Sequence, residues 1–221
     1  CLKTHKITAS AKSLGGHTGS CIEITIKNTS GQKLYLEVEP GRRLVSKDSS
    51  MQDIFIVKSK KLELIAGQTI RVPVFGFCCQ SSNHSPAMDS LFDIGYMAPP
   101  EWIKLARLFD SIDFPEGTMQ SAVWVLSNNH SISSAHCEDK EKNYLLKQTL
   151  SELTNQVIPW YNLYYKKDSV LVFSDRPTRI YGEFSYTIRH SSSVNIVVTN
   201  SLGQYVCTVM PTQLASPGRY E

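Results

Sequence analysis

The sequence predicts a mainly β chain: a β-sandwich with a helical insertion, followed by a second β-sandwich. Three observations carry this. Apolar and polar residues alternate in runs between residues 21 and 78 and again after Trp160, and a period of two buries one face of a strand. Between these blocks, apolar residues recur at helical spacing. Gly, Pro, Asn and Ser punctuate the runs at the short intervals of a sandwich.

Residues 1–20 are expected to form an N-terminal tether, because the run from Leu2 to Ser10 is polar and poor in β-formers beyond Ile7. Residues 21–40 read as a hairpin. Ile22, Ile24 and Ile26 make one buried face, Asn28-Thr29-Ser30-Gly31 the turn, and Leu34, Leu36 and Val38 the returning strand. Further strands are expected at Ile54 to Lys58, Lys61 to Leu64 and Thr69 to Cys78, the last with a bulge at Gly76.

Pro99-Pro100-Glu101 opens a helix whose face is Trp102, Leu105, Ala106, Phe109 and Ile112. Pro115-Glu116-Gly117 breaks it, and Thr118 is expected to cap a second helix carrying Met119, Ala122, Val123 and Leu126. A third, more polar helix should run from Asp139 to Leu153, using Tyr144, Leu145, Gln148 and Leu150. After Pro159 the strand pattern returns at Val170 to Phe173, Tyr181, Phe184 to Ile188, Val194 to Thr199 and Tyr205 to Val209, with Asn200-Ser201-Leu202-Gly203 as a turn. The division is therefore a tether at 1–20, a first domain at 21–155 and a second at 156–221. A final strand starting at Pro217-Gly218 leads us to expect the second domain to be truncated.

Composition narrows the function classes. The 221 residues carry 23 Lys+Arg and 20 Asp+Glu, a net charge of +3, too little positive charge to imply a nucleic-acid partner. A hydrophobic content of 41% against 19% charged residues belongs to a folded chain. No apolar run reaches the roughly 20 residues of a membrane helix. The six cysteines, Cys1, Cys21, Cys78, Cys79, Cys137 and Cys207, lack zinc-site spacing. A disulfide from Cys78 or Cys79 to Cys137 is the plainest pairing. No metal and no cofactor are expected.

Two readings of Cys1 stand side by side. It is the lipid attachment residue left when the signal peptide of a bacterial lipoprotein is cleaved, or the plain start of a trimmed chain. The lipid reading places the protein outside the cytoplasm, anchored in the outer membrane, on the cell surface or in the periplasm. Trp160, Tyr161, Tyr164 and Tyr165 form a candidate interface with other envelope or surface proteins, or else pack between the domains. A nucleophilic pair of Cys79 with His84 or His136 is conceivable, but no third group stands at recognisable spacing to orient it. Asp48, Asp53 and Asp89 look like turn residues.

Phe184 to Ile188, Val194 to Asn200, Ser201-Leu202-Gly203-Gln204-Tyr205-Val206 and Pro217-Gly218-Arg219-Tyr220 resemble the Ig-like FlgD-type modules and C-terminal sorting domains of secreted Bacteroidota proteins. That resemblance implies a non-catalytic Ig-like sandwich on an exported protein. Phe77-Cys78-Cys79-Gln80 and Thr118-Met119-Gln120-Ser121-Ala122-Val123-Trp124 resemble the two halves of bacterial thioester surface domains. In active members a cysteine sulfur displaces ammonia from a glutamine amide, and a host amine later opens the bond. The resemblance implies Cys78 or Cys79 with Gln120; neighbouring residues on a strand face opposite ways, so both remain open. In an inert scaffold of that type, Gln120 would hydrogen-bond nearby backbone and Trp124 would anchor the core. The resulting expectation is a non-enzymatic exported (lipo)protein that binds other proteins in a surface or secretion assembly. The alternative is a covalent adhesin with a Cys-Gln thioester.

Overall fold

Ile22, Ile24 and Ile26 on one strand face Ser13, Ala11 and Ala9 across an antiparallel ladder, and this row begins the main sheet. The computed structural model describes Leu2, residues 4–165 and residues 177–221. Cys1, Lys166-Lys167 and the strand expected at Val170 to Phe173 lie outside the described residues. The chain is mainly β and divides into two units, Cys1–Tyr181 and Gly182–Glu221.

The first unit contains strands β1 (Ile7–Ser13), β2 (Thr18–Asn28), β3 (Leu34–Val38), β4 (Arg42–Ser46), β5 (Ile54–Ile56), β6 (Lys60–Leu64), β7 (Thr69–Cys78) and β8 (Leu91–Met97). Six of them close into a barrel in the order β1-β2-β7-β5-β4-β8. Closure comes from β8, which pairs with β4 and also with β1 through Ala11↔Phe92 and Lys12↔Leu91. The expected sandwich is therefore a barrel, which leaves none of these six strands at an open edge.

Three sequence expectations change with this topology. The tether is not one, because Ile7–Ser13 is a barrel strand with Ile7 and Ala11 buried; pairing on both sides overrides its weak β propensity. The 21–40 hairpin does not form: β2 pairs with β1 and β7, while β3 pairs with β6. The bulge lies in β2, between Gly19 and Ile22, opposite Gly76 and Val74. Gly76 serves a different end, since a Cβ there would stand 2.7 Å from Ile54 Cγ2 and 2.9 Å from the Phe55 carbonyl.

Asn28 ends β2 fully buried. Its Nδ2 donates to the carbonyls of Gln32 (2.7 Å), Leu64 (3.2 Å) and Ile65 (3.0 Å), and its Oδ1 accepts from the Ser30 N–H and hydroxyl. One side chain thus ties the turn after β2 to the end of β6. Asn28→Ala should lower stability by about 1–3 kcal/mol, the cost of stranding buried carbonyls. Urea unfolding measures it, and a change within error of zero would deny the tie.

The helices are α1 (Pro100–Ser111), α2 (Glu116–Asn128) and α3 (Lys140–Thr154). Asp139 caps α3 by accepting from the N–H groups of Glu141 and Lys142. Pro115, not Thr118, is the N-cap of α2, and the run expected to break α1 in fact starts α2. Asn129 closes α2 in the left-handed conformation at φ 56°. The buried face of α3 is Leu146, Lys147 and Leu150; Tyr144 and Leu145 are exposed, so that face is turned from the expected one.

Two apolar cores result. One fills the barrel with Ile22, Ile24, Leu44, Ile54, Ile56 and Cys78. The other lies between the outer barrel wall and the helices, where Phe55, Val57, Phe77 and Cys79 meet Leu105, Phe109, Met119, Ala122 and Val123. The wall at β5 and at residues 76–78 of β7 is buried on both faces. Strands β9 (Tyr161–Tyr165) and β10 (Pro177–Gly182) pair with each other. The first unit runs to Tyr181, so the expected boundary at 155/156 falls inside it.

The second unit carries β11 (Tyr186–Ile188), β12 (Ser192–Thr199), β13 (Tyr205–Ala215) and β14 (Gly218–Tyr220). They pair as two ribbons, β11 with β14 and β12 with β13. Asn200 shapes the β12–β13 turn by accepting from the Leu202 and Gln204 N–H groups, and Gly203 supplies φ 76°. The described residues of this unit thus form two ribbons where an Ig-like sandwich was expected.

Candidate functional site

Strand register decides what the Cys78-Cys79 pair faces. Leu44 pairs with Ile54, and Ile54 with Cys78; all three point into the barrel core. The alternate row, Arg43↔Phe55 and Phe55↔Phe77, points outward, and its two Phe rings are buried under the helices. Cys79 is in phase with Phe77 and joins that helix-side core. Its N–H donates to the Asp53 carbonyl at 3.0 Å, and its thiol donates to the same oxygen at 3.4 Å.

Gln120 reaches this strand end from the second turn of α2. Glu116 seats the start of that helix on the barrel by accepting from the Thr18 hydroxyl at 3.1 Å. Thr118 holds the following loop, donating to the His136 carbonyl at 2.6 Å. Gln120 is 3% exposed, and its Nε2 donates to the Cys78 carbonyl at 2.7 Å. Its Oε1 is buried and has no partner among the described residues. The amide is therefore held against the peptide that joins the two cysteines. Trp124, one turn on, is buried and packs against His130 with ring centroids 5.9 Å apart.

Burial pushes the Cys79 thiol up to about 12, opposed by the Arg43 guanidinium and reinforced by the Asp53 carboxylate. Cys78 is pushed up further, again by burial first. Both are thiols at neutral pH. Beside Cys79 lies a polar network that sequence reading missed. Arg43 pairs with Asp53 at 2.6 Å, and Asp53 also accepts from the Ser46 N–H at 2.9 Å and from Gln80 Nε2 at 3.0 Å. Gln80 Oε1 in turn accepts from the Asp53 N–H. Asp53 is thus a buried anchor and not a turn residue. Asp48 does shape a turn, accepting from the Ser50 N–H. Trp102 packs edge-on to Phe55 at 5.5 Å, and the Arg43 guanidinium lies over its ring at 5.8 Å.

The remaining candidates fall elsewhere. The described cysteines are all free thiols, so neither Cys78 nor Cys79 is bonded to Cys137, whose thiol donates to the Asp139 carbonyl. His84 is exposed, and no hydrogen bond among the described residues joins Cys79 to His84 or His136. Burial holds the His130 and His136 rings below the ordinary histidine range. Tyr161, Tyr164 and Tyr165 form β9 of the first unit, with Trp160 exposed just before it. Tyr164 packs on the His136 ring at 4.3 Å and under Arg179 at 4.3 Å. No group of three His, Cys, Asp or Glu residues that could hold a metal occurs among the described residues. Comparison with protein-family models, curated proteins and solved structures finds no match.

Proposed function

We propose that the first unit is the binding module of an exported surface protein, and that it attaches covalently through an internal thioester between Cys79 Sγ and Gln120 Cδ. The observation that carries this reading is the Gln120 amide held at 2.7 Å on the Cys78 carbonyl, in a buried junction between strand and helix. The chemistry asks for a sulfur and an amide carbon on rigid elements, screened from water. The Cys79 S–H and the Gln120 amide exchange partners: an S–C bond forms, the C–N bond breaks, and the thiol proton leaves with the nitrogen as ammonia. An amine on the partner then attacks the same carbon, forming an amide and returning the thiol. Each module attaches once, without turnover.

A second reading keeps the binding role without the covalent bond. It is favoured by the Cys79 thiol, which donates to the Asp53 carbonyl at 3.4 Å and is thus engaged with backbone, as in an inert clamp between barrel and helix. Intact mass separates the two. The thioester reading expects a mass lower by one ammonia, converted by methylamine to the methylamide with release of one alkylatable thiol. Full mass, with both Cys78 and Cys79 alkylated after unfolding, would leave the clamp.

A further inference from the structure

We infer that Arg43 is a catalytic group of this bond-forming step, its Nε–H receiving the negative charge that develops on Gln120 Oε1 as Cys79 attacks; the inference rests on the thioester reading. Strand pairing sets Arg43 opposite Phe55 and Phe55 opposite Phe77, on the face to which Cys79 belongs. Asp53 brings the two groups onto one residue: its carboxylate holds the guanidinium at 2.6 Å, and its carbonyl takes the thiol at 3.4 Å. Trp102 lies against the guanidinium and limits its rotation.

Among the buried polar atoms of the described residues that have no hydrogen-bond partner, two of opposite kind belong to this site. Arg43 Nε is a donor without an acceptor, and Gln120 Oε1 is an acceptor without a donor, among the described residues. Both belong to side chains that converge on the Cys78-Cys79 dipeptide. Buried polar groups are nearly always satisfied, so an orphan in a native site needs a reason. Beyond its ion pair with Asp53, the Arg43 guanidinium also acts on the Cys79 thiol, so the side chain that carries the spare donor already stands beside the attacking sulfur. In the tetrahedral intermediate the former amide oxygen carries full charge, and a fixed donor in a water-poor site acts on it most strongly. The electron pair returns from that oxygen to carbon as Nε2 departs with the thiol proton. Arg43 lends a hydrogen bond throughout and transfers no proton.

The test follows ammonia loss by intact mass during refolding of the full chain, beside a urea melt. Arg43→Lys keeps the charge and the Asp53 pair but has no Nε–H. It should fold with an unchanged midpoint and lose ammonia about 100-fold more slowly, the usual effect of removing one oxyanion donor. Arg43→Met with Asp53→Asn removes both charges together, so it stays informative if the lysine variant folds poorly, and the same slowing is expected. Methylamine opening of thioester already formed passes through the same oxyanion and should slow alike, which a merely structural role would not produce. Ammonia loss at the wild-type rate in both variants would overturn the role of Arg43 and leave the thioester standing. A wild-type chain that never loses ammonia would sink the reading and the inference together.

Discussion

Cys79→Ala should run at full mass and capture no amine, while Cys78→Ala should keep the ammonia deficit intact. The two residues are adjacent and equally buried, so chemistry at the level of residue type does not separate them. Direction does. Cys78 packs in the barrel with Leu44, Ile54 and Cys21, behind the strand as seen from α2. Cys79 packs with Met119, Ala122 and Val123 on the helix side. Removing the Cys78 sulfur should leave a small void in the barrel, costing about 1 kcal/mol. Removing the Cys79 sulfur takes away the proposed nucleophile. Intact mass with and without methylamine reads both variants, and a deficit lost in Cys78→Ala but kept in Cys79→Ala would place the reactive sulfur inside the barrel.

Phe77→Ala should destabilise the first unit by about 3–5 kcal/mol, as expected for truncating a fully buried aromatic. Phe77 is 0% exposed and sits edge-on to Phe75 with centroids 5.6 Å apart. It belongs to the layer shared by the barrel wall and the three helices, so the void cannot close without moving α2 relative to β7. Two measurements apply. The urea midpoint should fall with the slope nearly unchanged, and ammonia loss should slow because Gln120 no longer meets the strand end squarely. A loss of stability under 1 kcal/mol would mean that the helices are held to the barrel by something other than this layer.

Several elements are legible in the sequence alone. Alternation located β2, β3, β5, β6 and β7 within a few residues, and helical spacing found α1 and α2 with their buried faces. Ile7–Ser13 was missed because Ala, Ser and Lys are weak strand formers. Only the partners on both sides make it a strand. The α3 face was displaced because Tyr144 and Leu145 look apolar, whereas Leu146 and Leu150 are the pair that meets the core.

At the site, residue types were readable and roles were not. Cys78, Cys79 and Gln120 stood out as a motif, but Arg43 and Asp53 did not, because they approach Cys79 through strand pairing across β4, β5 and β7 and not through nearness in the chain. By itself the sequence determined the periodicities, and with them the β-rich class, the helical insertion and the short list of candidate side chains. A period of two says which residues share a face. It is silent on which strand lies alongside. Closure of the barrel by β8, the inward turn of Cys78, the outward turn of Cys79 and the placing of Arg43 were decided by long-range pairing, because only the ladder of hydrogen bonds between distant segments sets register; Gln120 was brought in by the packing of α2 on the barrel.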